Sequence, residues 1–451
     1  MKYYKSLRLE YKIAFIISAA LLLCTAFTAY YVDFQSLSVW SLYIWDTLYA
    51  TGNPTHFYAH AAQNIWHAPH GTVGSDALIY IPWAIWNFPM WILQRFFGCN
   101  LMENPLMQLY SKCFLLLLIF GSAIIFKKIT KLFPISENHA NNCVFLFFSG
   151  FFTLLSTAYI GQNDILVVFV LLLAMYALLS GKWKTFLFWA ALSIAFKPYF
   201  IFPYIAIILF KEKRIHYILW YGIVGMSIYM GQKLPFLNAP MYQESFSGGA
   251  THMILRLMIE NSINFTPHMV SLFVLCLLGV YVLAYFSEAG ENSNEQVIYY
   301  ALLPYICFFL FVRYESYRPL YLFVFMALMI MAKPVYYRIN LLLEIVASAC
   351  LMYYYLYNGG CFFDGQYLLL PGAHESYISL SAFVKSHIAT SYNTVCMAVF
   401  LLCLLIFAVI NHPGFRLQNK ALVMKEERYI IVLRSCFFAL PFLAAVLLRY
   451  F

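Results

Sequence analysis

Long apolar runs that end in lysine or arginine are the feature that most constrains this chain. Residues 107–126, for example, form a largely apolar run that ends at Lys127 and Lys128. Apolar runs of about 17–25 residues predict helices that cross a lipid bilayer. The chain is 63% hydrophobic and only 10% charged, whereas soluble domains are about 25% charged. The sequence therefore excludes an ordinary soluble domain and predicts an integral membrane protein.

The spacing of these runs predicts the fold and the topology. We expect an all-α, polytopic transmembrane bundle of about 11–13 spans, forming a single transmembrane domain over residues 1–451. Four basic residues in the first twelve positions place the N-terminus in the cytoplasm by the positive-inside rule. The expected location is a multi-pass protein of the bacterial cytoplasmic membrane, and no nucleic-acid partner is expected. The runs predicted as spans are 13–31, 107–126, 142–159, 164–180, 185–197, 199–210, 216–232, 268–286, 297–312, 319–332, 341–358, 393–411 and 430–449.

Two long segments are predicted to lie on the extracytoplasmic side. Residues 31–76 follow the first apolar run and contain three aspartates and four histidines, but no lysine or arginine. Residues 359–391 form a second such loop. Residues 77–96 are apolar but contain two prolines, and we interpret them as an interfacial helix of the first loop. Loop 31–76 is the predicted catalytic loop.

Ionisable residues at the outer ends of membrane helices are the candidate functional residues, because burying a charge there is costly without a purpose. Four turns that the topology places on the outer side carry them. Arginine binds phosphate oxygens through its planar fork, and lysine binds them as a point charge. These candidate residues together predict an anionic, lipid-linked ligand. The candidate residues are Asp33, Gln162, Asp164, Lys197, Arg313 and Arg318.

Each candidate also has a purely structural interpretation. Lys197 could extend its ammonium to the interface, and Asp33 or Asp164 could cap a helix. The two arginines could pair with Glu315 or with lipid headgroups. The four histidines of loop 31–76 could bind a metal, but they form no compact metal-binding pattern. No cofactor is expected, and a divalent metal is not supported.

Four motifs resemble the GT-C superfamily of polytopic membrane glycosyltransferases, which use polyprenyl-phosphate sugars. The first motif is an aspartate after the first helix in the pattern D-F-x(5)-W, at residues 33–40. The second is GQND, at residues 161–164, followed by an apolar helix and a basic turn. The third is AFKP, at residues 195–198. The fourth is RYESYRP, at residues 313–319, which lacks the His-Glu that precedes this turn in related members.

The resemblance implies a mannosyltransferase-like, hexosyl-transferring enzyme that inverts the anomeric centre on the extracytoplasmic side. Asp33 would be the general base that takes a proton from the acceptor hydroxyl. Lys197, Arg313, Arg318, Gln162 and Asp164 would bind the donor phosphate or the substrate. The implied partners are a polyprenyl-phosphate sugar donor, a lipid, glycan or protein acceptor, and the bilayer itself.

Other functions fit parts of the same pattern. A transporter or flippase for a lipid-linked sugar could use the same cationic residues, although no inverted repeat is evident. A polysaccharide polymerase or ligase is a second alternative, although loop 359–391 contains no arginine. A purely structural membrane protein is also compatible with the sequence.

Overall fold

The fold is known from a computed structural model. It describes residues 9–70, 73–239, 241–243, 262–265, 268–290, 293–312, 314–358, 366–367, 379–415 and 427–450. Arg313 and most of the predicted loop 359–391 therefore lie outside the described residues.

Helices dominate the described chain, which confirms the all-α prediction. The strands β1–β4 are short: Ala29–Tyr30, Ser262–Phe265, His268–Ser271 and Gln366–Tyr367. Each run predicted as a span contains a helix. In chain order, helices α1–α19 are Leu9–Thr28, Val32–Thr51, Phe57–Ala62, Tyr80–Trp86, Phe88–Phe97, Pro105–Thr130, Glu137–Phe148, Phe151–Thr153, Asp164–Leu179, Trp183–Phe196, Ile201–Lys211, Ile215–Gly231, Leu272–Phe286, Ser293–Phe311, Pro319–Ala332, Tyr337–Asn358, Leu380–His387, Ser391–Ile410 and Glu427–Tyr450.

Several of these helices have the length and composition of membrane spans. By those criteria α6, α16 with the 3₁₀ turn before it, and α18 are each able to cross a bilayer, within the part of the chain that the structure describes. Helix α7 and the helix 151–159 count as a fourth span if the 46° bend between them lies within one crossing. The described residues contain eight further apolar helices or helix segments of 10–17 residues. These helices are consistent with a membrane protein, and the total of about 11–13 spans stays a prediction.

The predicted outer loop 31–76 is largely helical. Helix α2 takes up twenty of its residues, Val32–Thr51, and is followed by Gly52, whose left-handed backbone (φ 66°) closes the helix. A 3₁₀ turn and the short helix α3 follow. Residues 77–96 form another 3₁₀ turn and then α4 and α5, which are separated at Asn87. The longer of the two has ten residues and measures about 15 Å, half the thickness of a bilayer core.

The two long segments predicted as outer loops meet at the end of the first helix. Strand β1 directly follows α1 and pairs antiparallel with β4, which lies in the predicted loop 359–391. Ala29 is opposite Tyr367, and Tyr30 is opposite Gln366. Asp33 comes three residues after this pairing, in the first turn of α2. The backbone therefore brings both long loops to the predicted base.

Candidate functional site

Asp33 lies in the first turn of α2, where a carboxylate interacts favourably with the partial positive charge of the helix N-terminus. Its side chain does not cap the helix. Instead, Oδ1 lies 2.8 Å from Nε2 of His70, and Oδ2 accepts a hydrogen bond from the Gln162 amide. The side chain keeps 23% of its surface exposed. Asp33 is thus a fixed carboxylate that solvent and small molecules can reach.

His70 is the partner of Asp33 that the sequence did not indicate. Its backbone N–H donates to Oγ of Ser36, one helical turn after Asp33, at 3.0 Å. Its ring centroid lies 6.2 Å from that of Trp40, the next aromatic residue on α2. His70 is therefore anchored to the same helix that carries Asp33, although 37 residues separate the two in the sequence. That long separation leaves no periodic signal in a single sequence.

The GQND turn brings Gln162 to Asp33. A π-helical turn precedes it over residues 154–159, and such turns are frequent at functional sites. Gly161 then adopts a left-handed conformation with φ 73° and packs against Phe34. The turn therefore places Gln162 against Asp33 and starts α9 at Asp164.

Asp164 joins the turn to two other elements. It is fully buried, and its Oδ2 lies 2.7 Å from Nζ of Lys197. Its Oδ1 accepts a hydrogen bond of 2.6 Å from the hydroxyl of Tyr321. The carboxylate therefore does not cap α9, which was the structural alternative for this residue. It links the start of α9, the end of α10 and the first turns of α15.

Arg318 lies beside this buried acid. Its Nη2 pairs with Oε2 of Glu315 at 2.6 Å, so the structural alternative of pairing with Glu315 is confirmed for this arginine. The guanidinium also lies over the ring of Tyr199, 5.2 Å from the centroid. Nη1 is buried and has no hydrogen-bond partner among the described residues. Arg318 therefore keeps one donor group unused, in a position where an unpaired donor costs free energy.

Five of the six predicted site residues thus lie in one connected region: Asp33, Gln162, Asp164, Lys197 and Arg318. Arg313 lies outside the described residues. The cations are not isolated, because Lys197 and Arg318 each already pair with a carboxylate. Three aromatic residues of the region were not predicted: Tyr199, Tyr317 and Tyr321. The sequence did not single them out, because 37 tyrosines are spread over the chain.

A second aspartate–histidine pair lies in the same segment, 31–76. Asp46 is fully buried, and its Oδ2 lies 2.7 Å from Nε2 of His60. Its Oδ1 accepts a hydrogen bond from the Trp91 indole at 3.4 Å and lies 3.6 Å from Nε of Arg95. These contacts join α2 to α3 and α5. In the described parts of the chain, no three histidine, cysteine or acidic side chains are grouped as a metal site would require.

The comparisons with known proteins give no family for this chain. No protein-family model matches the sequence, and no curated protein matches it.

Proposed function

We propose that the chain is a GT-C-like membrane glycosyltransferase of the bacterial cytoplasmic membrane. It would transfer a hexose from a polyprenyl-phosphate donor to an acceptor hydroxyl on the extracytoplasmic side. The observation that carries the proposal is Asp33, a partly exposed carboxylate held by Gln162 and His70 beside a buried region with two cations. A base needs accessibility and a fixed orientation, and Asp33 has both.

The proposed reaction is a direct displacement with inversion. Asp33 takes the proton of the acceptor hydroxyl while the oxygen of that hydroxyl attacks the anomeric carbon. The bond between that carbon and the phosphate oxygen breaks, and its electron pair stays on the lipid phosphate. The leaving phosphate gains negative charge, which preorganised cations stabilise. Arg318 suits this role because its Nη1 has no partner among the described residues, and Lys197 adds a second positive charge.

The substitution Asp33→Asn tests the assignment. It replaces the carboxylate by an amide of nearly the same size that cannot act as a base, so we expect sugar transfer to fall about 100-fold or more. The measurement is transfer from a radiolabelled polyprenyl-phosphate sugar in membranes, normalised to the amount of folded protein.

Asp46→Asn is the matched control. Asp46 also binds a histidine in the same outer segment, but it is fully buried and holds helices together. We expect this variant to keep wild-type transfer per folded molecule while losing stability. Full transfer by Asp33→Asn would refute the base assignment. Movement of the lipid-linked sugar across the membrane without formation of a glycosidic bond would favour a transporter.

A further inference from the structure

Both oxygens of the Asp33 carboxylate have a partner, and the two partners differ in chemistry. Gln162 donates from a neutral amide that cannot titrate near neutral pH. His70 binds the other oxygen at 2.8 Å through an imidazole, which can carry a charge. The two bonds fix the plane of the carboxylate. One partner is always neutral, whereas the charge of the other changes when the imidazole is protonated.

We propose that His70 is a positioning residue for Asp33: its imidazole fixes the carboxylate, and its protonation state determines how readily that carboxylate accepts a proton. The inference rests on the proposed transferase function for its kinetic consequence. Its structural part, the coupling between the two side chains, stands separately.

The segment before His70 is shaped to present it. Asn64 and His67 both adopt positive φ, at 46° and 52°, which is uncommon for residues other than glycine. The Asn64 side chain closes the turn by bonding both the N–H and the carbonyl of Ala68, at 2.7 and 3.1 Å. Trp66 stacks on Tyr43 of α2 and donates its backbone N–H to the tyrosine hydroxyl. These contacts fix the backbone before His70 and therefore fix the position of the histidine relative to Asp33.

The charges around His70 determine the sign of the effect. The hydrogen bond to Asp33 is the main cause that raises the pKa of His70, burial opposes it, and the charge of Asp33 adds to the increase. Among the described residues, Asp33 is the one charged group that shifts the pKa of His70. The other neighbours, Gln162 and the Trp40 ring, are neutral. Below its pKa, His70 is an imidazolium that stabilises the carboxylate and weakens it as a base. Transfer should therefore increase as the pH rises through the pKa of His70.

Two substitutions separate positioning from titration. The glutamine of His70→Gln can still donate an N–H to Asp33, but it carries no charge. We expect it to keep transfer within about threefold of the wild type at pH 8 and to lose the decrease that the wild type shows as the pH falls. His70→Ala removes the donor altogether, and we expect transfer at pH 8 to fall about 10- to 100-fold, the effect of a misplaced catalytic group. Wild-type rates and pH profiles in both variants would overturn the proposal.

The coupling has a readout that does not need sugar transfer. Diethyl pyrocarbonate modifies neutral imidazoles, and 49% of the His70 side chain is exposed to it. In the full-length protein in nanodiscs, peptide mass spectrometry follows this modification between pH 5.5 and pH 8. We expect the midpoint for His70 to shift to lower pH in Asp33→Asn, because the hydrogen bond and the charge that raise its pKa are lost. The exposed His56 and His67 of the same segment serve as references and should not shift.

The two measurements distinguish the possible failures. An unchanged His70 midpoint in Asp33→Asn would show that the side chains are not coupled, and the proposal would be wrong even for an active transferase. A shifted midpoint in a protein that transfers no sugar would refute the proposed function while the coupling stands. Thermal unfolding of each variant in the same nanodiscs shows whether a loss of transfer reflects a loss of folded protein.

Discussion

At the scale of single residues, Gly161 allows the GQND turn to lie close to α2. Its backbone is left-handed, with φ 73°, and a Cβ at this position would lie 2.7 Å from Cβ of Phe34 and 3.0 Å from its ring. Real Cβ atoms do not approach other atoms so closely, so any side chain would push α2 and the GQND turn apart. Asp33 precedes Phe34 and Gln162 follows Gly161. The absence of a side chain here is therefore what allows Gln162 to reach the carboxylate.

Gly161→Ala should therefore impair both stability and activity. The left-handed backbone and the contact with Phe34 together should cost about 2–4 kcal/mol of unfolding free energy. Transfer per folded molecule should also fall, because Gln162 moves away from Asp33. Thermal unfolding in detergent and the transfer assay measure the two effects.

Gly181→Ala is the matched control for this prediction. Gly181 has nearly the same φ, 74°, but no described atom lies within 4 Å of the position a Cβ would take. This substitution should cost only the backbone term, about 1–2 kcal/mol, and leave transfer per folded molecule unchanged. Equal losses of stability in the two variants would mean that the contact with Phe34 is unimportant.

At the scale of secondary-structure elements, a buried ion pair joins three helices away from the candidate site. Arg434 of α19 binds Glu344 of α16 through two bonds, Nε to Oε2 at 2.8 Å and Nη2 to Oε1 at 2.6 Å. Its Nη1 donates to Oγ of Ser149, at the end of α7 where the chain bends by 46°. A cavity of about 10 Å³ adjoins the pair, space for at most about one water molecule. The pair therefore fixes the last helix against the bent segment.

Removing one partner of this pair should be costly, because the other charge would stay buried and unpaired. We expect Arg434→Met to lower the unfolding free energy by about 3–5 kcal/mol. The double variant Glu344→Leu with Arg434→Met should recover most of that loss, since apolar replacements of buried ion pairs are often neutral. The measurement is the temperature at which half of the protein in detergent stays monodisperse on size exclusion.

The pair between Lys127 and Glu137 provides the control. Its N–O distance is 2.7 Å, similar to that of the buried pair, but 65% of the Glu137 side chain is exposed. Glu137→Gln should therefore change stability by less than about 1 kcal/mol. If Arg434→Met cost no more than Glu137→Gln, the ion pair would not be what fixes α19.

At the scale of the whole molecule, two lysines at the predicted cytoplasmic face bind the C-terminal ends of neighbouring helices. At the predicted cytoplasmic face, Nζ of Lys213 binds the carbonyls of Ala284 and Ser287, at the end of α13. Nζ of Lys333 binds the carbonyl of Asn411 at the end of α18, at 2.7 Å. Helix C-termini carry partial negative charge, which lysine complements. At the predicted outer face, in contrast, Lys197 pairs with a carboxylate of the candidate site.

The sequence predicted the helices well, because apolar runs and basic boundaries are local signals. It also grouped Asp33, Gln162, Asp164, Lys197 and Arg318, since topology alone assigned their turns to one face. The roles of these residues stay predictions. The partnership of His70 with Asp33 and the pair of Glu344 with Arg434 were not predicted, because each depends on contacts between segments far apart in the chain. A single sequence contains no measure of such proximity.

The orientation of the whole bundle is the last prediction, and every outer-face assignment depends on it. Single cysteines replace exposed residues in a background whose native cysteines are alanine and which stays monodisperse. In intact cells, a membrane-impermeant maleimide should label Thr51→Cys and Ser386→Cys, which lie in the two outer loops. Lys182→Cys and Glu288→Cys should react only after the membrane is opened, because their helix ends are predicted to lie in the cytoplasm. All four positions are exposed in the structure, so burial would not explain a lack of reaction.

Labelling of Lys182→Cys together with Thr51→Cys in intact cells would place both ends of the bundle on one side and refute the topology. Labelling of the Lys182 and Glu288 variants alone would invert the orientation and place Asp33 in the cytoplasm.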